Sequence, residues 1–345
     1  IFREYDIRGV VKDDFSEDVV FNIGRSYGSI LIENNQKNIS ISGDVRYSTE
    51  RLKNNLIEGL LSTGINVYDM GILPTPLNYF SLHHTDIKNS IQVTGSHNSI
   101  DYNGFKISYK KGAFYGDQIN ILKELIENSD FEIGIGRNEE IDIMTPYLAM
   151  LKEKISIDRP LKAVIDCGNA TACLSAPKIF PAVGIETHEL YCEVDGTFPN
   201  HHPDPTEDKN LTDLVNKIQS GDYDFGVAFD GDADRVVAVD ETGSIIRSDI
   251  LMAVFLPEII KNPGDTVIFD VKCSQALEDM IIHYGGIPVM WKTGHSLIKD
   301  KMKELDVNFA GEMSGHIFFA DDYYGYDDAI YVSLRLAQLL SRTDK

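Results

Sequence analysis

The sequence contains few cysteines and no long apolar segment. None of its four cysteines belongs to a C-x-x-C pair or to another spacing typical of a metal site, so we expect buried free thiols in a cytoplasmic protein. No apolar run approaches the roughly 18 residues of a membrane-spanning helix. The charged start does not match a secretory signal. The cysteines are Cys167, Cys173, Cys192 and Cys273.

Positive charge is also scarce. Lysine and arginine number 32 against 54 acidic residues, for a net charge of −22. A nucleic-acid-binding protein needs a basic footprint, so we expect no nucleic-acid partner. An anionic substrate is still compatible with this charge where a few cations and a metal ion converge. The hydrophobic content of 43% and the length of 345 residues indicate a globular chain of two or three domains.

A degenerate repeat occurs three times in the chain. Each copy has an apolar run ending in aspartate, then a polar loop, a helical stretch, a glycine and a second apolar run. The aspartate-to-glycine gaps of 20, 18 and 16 residues fit a helical crossover between parallel strands, with the glycine ending the helix. We therefore expect three tandem α/β domains of related βαβ topology with mixed sheets. The pairs are Asp44 and Gly64, Asp166 and Gly184, and Asp270 and Gly286.

Polar stretches near residues 134–143 and 242–249 separate the three copies. They predict domain 1 over residues 1–142, domain 2 over 143–245 and domain 3 over 246–345. Helices are predicted near residues 144–155, 250–260 and 327–341. Open α/β sheets bind ligands beyond the carboxyl ends of their strands, so the loops that follow the strands are the candidate functional segments.

The first such loop is "TGSHNSIDYNGFK", residues 94–106, which follows a strand-like run. Ser96 does not match the G-x-S-x-G pattern of acyl-transfer enzymes, because Asn98 stands at the second glycine position. His97 is its immediate neighbour, and adjacent side chains in an extended segment point to opposite sides, which disfavours a Ser-His-Asp triad. Two interpretations remain, an ordinary Asx-type turn or a serine that stores a phosphoryl group. Lys106 is the nearby cation or proton acceptor.

The second loop is acidic. Asp230, Asp232 and Asp234 alternate between two strand-like runs, and carboxylates this close repel one another unless a cation neutralises them. Oxygen ligands suit Mg²⁺ or Mn²⁺. An EF-hand is excluded because Arg235 stands where that loop requires glycine. A metal-free hairpin turn is the other interpretation, although Arg235 is well suited to binding a phosphate beside a metal.

The third copy contributes further polar loops. Glu312, Ser314 and His316 follow a strand-like run at alternate positions, and an extended segment would direct all three to one face to bind sugar hydroxyls. His295 in "KTGHS" and Lys272 in "FDVKCS" also lie after strand-like runs. Each alone is typical of a surface residue, but together they indicate a site.

These segments resemble the α-D-phosphohexomutase family over essentially the whole chain. The resemblance implies α/β domains around a central cleft and a fourth C-terminal domain, which grips the non-transferring phosphate and which we expect in the intact protein although it is absent here. It also implies a monomer or weak dimer. Ser99 replaces a proline common in the family. The segments are "FREYDIRG", "TGSHNSIDYNGFK", "NHHPDPT", "FDGDADR", "VKCS", "KTGHS" and "GEMSGH".

The resemblance also implies a mechanism. Ser96 is phosphorylated and transfers its phosphoryl group to a hexose monophosphate, forming a 1,6-bisphosphate that returns the other phosphate. One Mg²⁺ is bound by Ser96, Asp230, Asp232 and Asp234, and glucose 1,6-bisphosphate is the activator. The implied catalytic residues are Ser96, Lys106, His97, Arg235, His295 and His316, with Lys106 our choice of base. The implied substrate-binding residues are Tyr5, Arg8, Lys272, Glu312, Ser314 and His316.

The expected activity is the interconversion of hexose 1-phosphate and hexose 6-phosphate, with mannose, glucose or both as the sugar. A phosphoglucosamine mutase is the neighbouring alternative. From different classes, a metal-dependent phosphatase and a non-catalytic sugar-phosphate-binding fragment also remain open.

Overall fold

The computed structural model describes residues 1–3 and 6–343. The chain folds into two compact units, one of Ile1–Pro146 with Asp195–Thr197 and one of Tyr147–Val194 with the residues from Phe198 onward. Three mixed β-sheets with helices between their strands are present, as the sequence predicts. Among the described residues, no helix has the length and apolar character needed to cross a membrane.

The first sheet has seven strands. They are β1 (Ile7–Val10), β2 (Asn38–Gly43), β3 (Asn66–Ile72), β4 (Ser90–Val93), β5 (Tyr102–Tyr109), β6 (Gly112–Ala113) and β7 (Asn138–Glu140). The accompanying helices are α1 (Val11–Asp14), α2 (Glu17–Glu33), α3 (Thr49–Leu61), α4 (Thr75–His84) and α5 (Asp117–Asn128).

The second sheet has five strands. They are β8 (Leu161–Asp166), β9 (Ile185–Leu190), β10 (Phe225–Phe229), β11 (Val236–Asp240) and β12 (Ile245–Ile246). The helices of this part are α6 (Met144–Lys154), α7 (Ala176–Ala182) and α8 (Thr212–Gln219). The four cysteines are free, and Cys192 is only half-buried, so the prediction that all four are buried is wrong for it.

The third sheet has four strands. They are β13 (Thr266–Asp270), β14 (Ile287–Trp291), β15 (Phe309–Gly311) and β16 (Ile317–Phe319). The helices are α9 (Ser248–Ile259), α10 (Gln275–His283), α11 (His295–Leu305) and α12 (Ala329–Ser341). The three helices predicted near residues 144–155, 250–260 and 327–341 are confirmed as α6, α9 and α12.

Four strands have the same arrangement in every sheet. The order is β5-β4-β2-β3 in the first sheet, β11-β10-β8-β9 in the second and β16-β15-β13-β14 in the third. In each, three strands are parallel and the first is antiparallel to its neighbour. The prediction of related βαβ topology with mixed sheets is thereby confirmed. The exact domain boundaries stay a prediction.

Glycines with left-handed backbone end the crossover helices. Gly64 has φ +93° and Gly184 has φ +95°, a conformation that glycine adopts without the penalty of a Cβ atom. In the third copy this residue is Gly285, with φ +83°, so the choice of Gly286 there is wrong by one position. The strand after the glycine returns the chain parallel to the first strand.

The apolar pattern explains why the strands form. Every residue of β4 and β10 is buried, as expected for strands of a sheet covered on both faces. In the first sheet, Ile41 of β2 and Val93 of β4 belong to one apolar core with Leu56 of α3. The cores fix the strands, and the polar loops that follow them carry the candidate site.

Candidate active site

Ser96 lies in a tight, buried turn directly after β4. Its φ is +48°, a left-handed conformation that is uncommon outside glycine. The Ser96 N–H donates to Thr94 Oγ1 at 2.8 Å, and Arg46 Nη2 donates to the Ser96 carbonyl at 2.7 Å. The backbone of the serine is thus fixed on both sides.

His97 does not point away from Ser96. Its Nδ1 lies 3.3 Å from Ser96 Oγ, so the prediction of opposed side chains is wrong. The reason is the left-handed backbone of Ser96, since alternation holds only in an extended segment. The turn is closed by Asn98, whose N–H donates to the Gly95 carbonyl at 3.0 Å.

Two cations lie in the strands beside this turn. Arg8 in β1 is buried and pairs in register with Gly104 of β5, and its Nη1 donates to the Gly95 carbonyl at 2.8 Å. Lys106 in β5 is also buried and lies opposite Gln92 of β4. Tyr5 falls outside the described residues.

The acidic loop is a turn between the antiparallel strands β10 and β11. Asp230, Asp232 and Asp234 are fully buried, and each places a carboxylate oxygen within 4.8 Å of the others. Burying three charges of one sign is costly unless a cation compensates them. All donors are hard oxygens, the ligand type that Mg²⁺ and Mn²⁺ prefer. The residues therefore fit such an ion.

Arg235 connects this loop to the third sheet. Its Nε donates to His316 Nε2 at 2.9 Å and lies 3.9 Å from Asp230 Oδ2. His316 Nε2 is therefore an acceptor, which places the imidazole proton on Nδ1 in the neutral ring. That nitrogen faces Asp327 Oδ2 at 2.9 Å.

Asp327 is a site residue that sequence reasoning missed. Lys299 Nζ donates to it at 2.9 Å, and His295 Nδ1 lies 3.6 Å away. Burial alone would raise the pKa of Asp327. Lys299, together with His316 and His295, outweighs burial and holds this pKa well below its usual value. The sequence held one indication of this cluster. His295 and Lys299, which both contact Asp327, are one turn apart on the same face of α11.

Asp234, His316 and Asp327 form a second group with metal-ligand spacing. It fits a metal less well, since the Asp327 carboxylate already accepts from Lys299 and a cationic lysine would repel the ion. We therefore interpret this group as a hydrogen-bonded network beside the three aspartates.

Glu312, Ser314 and His316 lie in a turn between β15 and β16. The turn is closed by the Glu312 N–H, which donates to the His316 carbonyl at 2.8 Å, so the prediction of an extended segment is wrong. Ser314 is half-buried. Glu312 is buried and accepts from the Gly294 N–H. Burial raises its pKa, which the nearby His316 and this hydrogen bond partly offset. Lys272, after β13, is exposed.

Three family models match the chain in order. Their descriptions are phosphoglucomutase/phosphomannomutase alpha/beta/alpha domain I for residues 1–133, domain II for 145–243 and domain III for 247–345. Together they cover almost all of the sequence.

Individual relatives agree with the family models. A phosphomannomutase/phosphoglucomutase of Pseudomonas aeruginosa is 45% identical, with all of this chain and 75% of the relative covered. A phosphoglucomutase of Neisseria meningitidis is 40% identical with the same coverage. The crystal structure of a phosphoglucomutase/phosphomannomutase family protein from Burkholderia thailandensis superposes with a TM-score of 0.96 at 42% identity, covering all of this chain and 77% of that one.

The fold and these relatives define an α-D-phosphohexomutase, an enzyme of the phosphotransferase and isomerase type. The chain belongs to the phosphoglucomutase/phosphomannomutase family. It spans about three quarters of the length of the relatives cited.

Proposed function

We propose that the chain is a hexose phosphate mutase, which interconverts the 1-phosphate and 6-phosphate of glucose, mannose or both through a phosphoserine at Ser96. The names of its relatives support the mutase activity. They do not favour the phosphoglucosamine alternative. The phosphoserine step, the residue roles, the metal and the activator glucose 1,6-bisphosphate are our proposals.

The observation that best supports a phosphoserine at residue 96 is the backbone geometry of Ser96. Its left-handed φ of +48° is uncommon for a residue other than glycine and is held here by its buried surroundings. Hydrogen bonds to its N–H and to its carbonyl contribute to this. Phosphoryl transfer asks a protein mainly to align the reacting groups and to balance their charge. A rigidly held hydroxyl serves the first need.

Phosphoryl transfer exchanges one phosphorus–oxygen bond for another. The bond between Ser96 Oγ and phosphorus breaks while a sugar hydroxyl oxygen bonds to the phosphorus. The sugar hydroxyl loses its proton to a base, for which Lys106 is our first choice and His316 or His295 the next, and the departing Ser96 Oγ takes up a proton to become a hydroxyl. The reverse steps with the other end of the bisphosphate regenerate phosphorylated Ser96. Arg8, Arg235 and Lys106 would balance the negative charge that spreads over the transferring group.

Asp230, Asp232 and Asp234 would hold the Mg²⁺. When bound, such an ion neutralises charge that develops on phosphoryl oxygens. That an oxygen of phosphorylated Ser96 is a further ligand stays a prediction from the resemblance. Tyr5, Lys272, Glu312 and Ser314 stay predictions for substrate binding, as does His97 for catalysis.

Intact mass spectrometry tests the proposal. We expect the purified protein to carry the mass of one phosphate after incubation with glucose 1,6-bisphosphate and Mg²⁺, and we expect Ser96→Ala to carry none. Ser90→Ala is the matched control, because Ser90 is buried in β4 before the turn. Equal labelling of Ser96→Ala and the wild type would contradict a carrier role for Ser96.

Turnover assays separate the remaining alternatives. We expect mutase activity on mannose 1-phosphate or glucose 1-phosphate to exceed that on glucosamine 1-phosphate. Steady release of inorganic phosphate would indicate the phosphatase alternative, and sugar-phosphate binding without turnover the non-catalytic one. We also propose that the enzyme is cytoplasmic and acts as a monomer or weak dimer. Sedimentation of the purified protein would test the oligomeric state.

A further inference from the structure

We propose that Asp44, Asp166 and Asp270 are positioning residues, one for each of the three loops that carry the chemistry. The inference rests on the proposed function and deepens it. Asp44 directly follows β2, and Asp166 and Asp270 end β8 and β13, the strands that hold the third position in the shared four-strand order. Each functional loop follows the parallel strand next to one of these strands, β4, β10 or β15. All three aspartates are buried.

Asp44 anchors the turn of Ser96. Its Oδ2 accepts from Thr94 Oγ1 and from the Gly95 N–H, both at 2.9 Å. Thr94 Oγ1 in turn accepts from the Ser96 N–H. The carboxylate is therefore one hydrogen bond removed from the backbone of the serine.

Asp44 also orients Arg46, which binds the other side of the same turn. Asp44 Oδ2 accepts from Arg46 Nε at 3.2 Å. The guanidinium fills the space beside Gly95, where an added Cβ would lie 2.4 Å from Arg46 Cζ. Arg46 donates to carbonyls along the turn, those of Ser96 at 2.7 Å, Asn98 at 2.6 Å, Ser99 at 2.6 Å and Tyr102 at 3.0 Å.

Asp270 has the equivalent contacts in the third sheet. Its Oδ1 accepts from the Met313 N–H at 3.0 Å, inside the turn of residues 312–316. Its Oδ2 accepts from Thr293 Oγ1 at 2.8 Å. Thr293 precedes Gly294, whose N–H donates to Glu312. One carboxylate thus joins both segments that surround Glu312.

Asp166 supports the acidic loop through one intermediate turn. It accepts from the Gly168 N–H at 3.0 Å and lies within 3.1 Å of His201 Nε2 through both oxygens. Burial alone would lower the pKa of His201, but the hydrogen bond with Asp166 outweighs it and raises that pKa. At the far side of the turn, Thr171 Oγ1 donates to the Gly231 carbonyl at 3.1 Å.

An ionised aspartate suits this task better than its amide. A buried carboxylate is stable only where several donors satisfy it, and both of its oxygens accept. Asparagine has the same shape but replaces one acceptor by an NH₂ group, which then faces an N–H or O–H donor. Replacement should therefore shift the attached loop and leave the sheet intact.

The test compares Asp44→Asn, Asp166→Asn and Asp270→Asn for three different defects. Hydrogen bonds to charged groups are strong enough for losses of roughly tenfold to a hundredfold. We expect Asp44→Asn to slow phosphate uptake by Ser96 from glucose 1,6-bisphosphate. Asp166→Asn should raise the Mg²⁺ concentration for half-maximal uptake, and Asp270→Asn the KM for hexose 1-phosphate. Each variant should change the other two quantities by less than about threefold.

Matched controls remove an aspartate of a buried or partly buried ion pair away from the loops. They are Asp69→Asn beside Lys53, Asp224→Asn beside Arg159, and Asp321→Asn beside Arg335. None should change the three quantities. Should an aspartate variant not fold, a variant that removes a hydroxyl donor of the same linkage replaces it: Thr94→Val, Thr171→Val or Thr293→Val, with the same defect expected for its loop.

The outcomes are distinct. A wild-type protein that carries no phosphate at Ser96 before or after incubation with glucose 1,6-bisphosphate overturns the proposed function, and this inference with it. If the wild type takes up phosphate normally, either of two results overturns the inference alone. In one, the aspartate variants behave like the controls, and in the other, all three share one defect.

Discussion

Glu312 is a single candidate binding residue whose surroundings impose a pH dependence. Its carboxylate is buried beside Gly294, and burial raises its pKa above the ordinary value of glutamate. An acid with a raised pKa gains its proton at a higher pH than usual. A protonated Glu312 is a weaker acceptor for a sugar hydroxyl.

We therefore expect the KM for hexose 1-phosphate to rise as the pH falls, beginning where ordinary glutamates are still ionised. Glu312→Gln should have a raised KM with a flatter profile. Steady-state kinetics from pH 5 to 8 measure both. The substrate phosphate also titrates near pH 6, so the informative quantity is the difference between the two proteins. Parallel profiles would show that Glu312 does not act through its charge.

Asp232 gives a second prediction for a single residue. Asp232→Asn removes one of three carboxylate charges that would hold Mg²⁺. We expect kcat to fall by about a hundredfold or more while the substrate KM changes little, because the ion acts mainly on charge that develops in the transition state. Asp240→Asn, at the end of β11, where the carboxylate accepts from the Thr242 N–H, is the control. Equal and minor changes in kcat and KM would count against a metal at this site.

At the scale of elements, α12 begins at an unusual cap. Asp328 accepts from the Tyr331 N–H at 2.9 Å as the N-cap, and also from the hydroxyls of Tyr147 at 2.9 Å and Tyr323 at 2.6 Å. Burial raises its pKa to about 6, although these hydrogen bonds oppose the shift. A carboxyl group in this setting couples helix stability to pH.

The sign follows from proton binding. Between about pH 4 and the raised pKa of about 6, the native state keeps a proton that the unfolded state has lost, so the free energy of unfolding falls as the pH rises. The total change is about 3 kcal/mol at most. Asp328→Asn keeps the N-cap without titrating, and its stability relative to the wild type should rise across this window. Urea unfolding at pH 4.5 and 7 measures the difference, and an unchanged difference would refute the assignment.

The elements themselves were largely predictable from sequence. The strand β10 is a continuous apolar run, and left-handed glycines end the crossovers, so local pattern and backbone freedom suffice for these elements. The bend at residues 312–316 was not predictable, because it depends on the antiparallel pairing of β15 with β16. His97 was misjudged because a left-handed serine cannot be recognised from its neighbours alone.

Only the part of the site formed by residues close in sequence was predictable. Asp230, Asp232 and Asp234 are close in sequence, so their clustering follows from their spacing. Asp44 and Asp270 were visible only as strand ends. Their partners Gly95 and Met313 lie 51 and 43 residues away, and only strand pairing brings such groups together.

At the scale of the whole molecule, the excess of acidic residues sets the background for ion binding. With a net charge of −22, any added salt screens self-repulsion, so a specific Mg²⁺ effect has to exceed this general one. We expect MgCl₂ to raise the midpoint of thermal unfolding more than NaCl at equal ionic strength, since an ion that binds only the native state stabilises it by mass action. Asp232→Asn should lose the extra increment. Equal shifts with both salts would argue against a specific ion.

The common strand order of the three sheets has a consequence for how such a sequence can diverge. The loops with a serine, a set of aspartates and a glutamate all project from the same strand position, above frameworks with the same connectivity. A change in one loop therefore leaves the connectivity of its scaffold intact, while the hydrogen bond from Arg235 to His316 ties the acidic loop to the loop of residues 312–316. Copies of such a module could in this way take on separate chemical tasks while they keep a common framework.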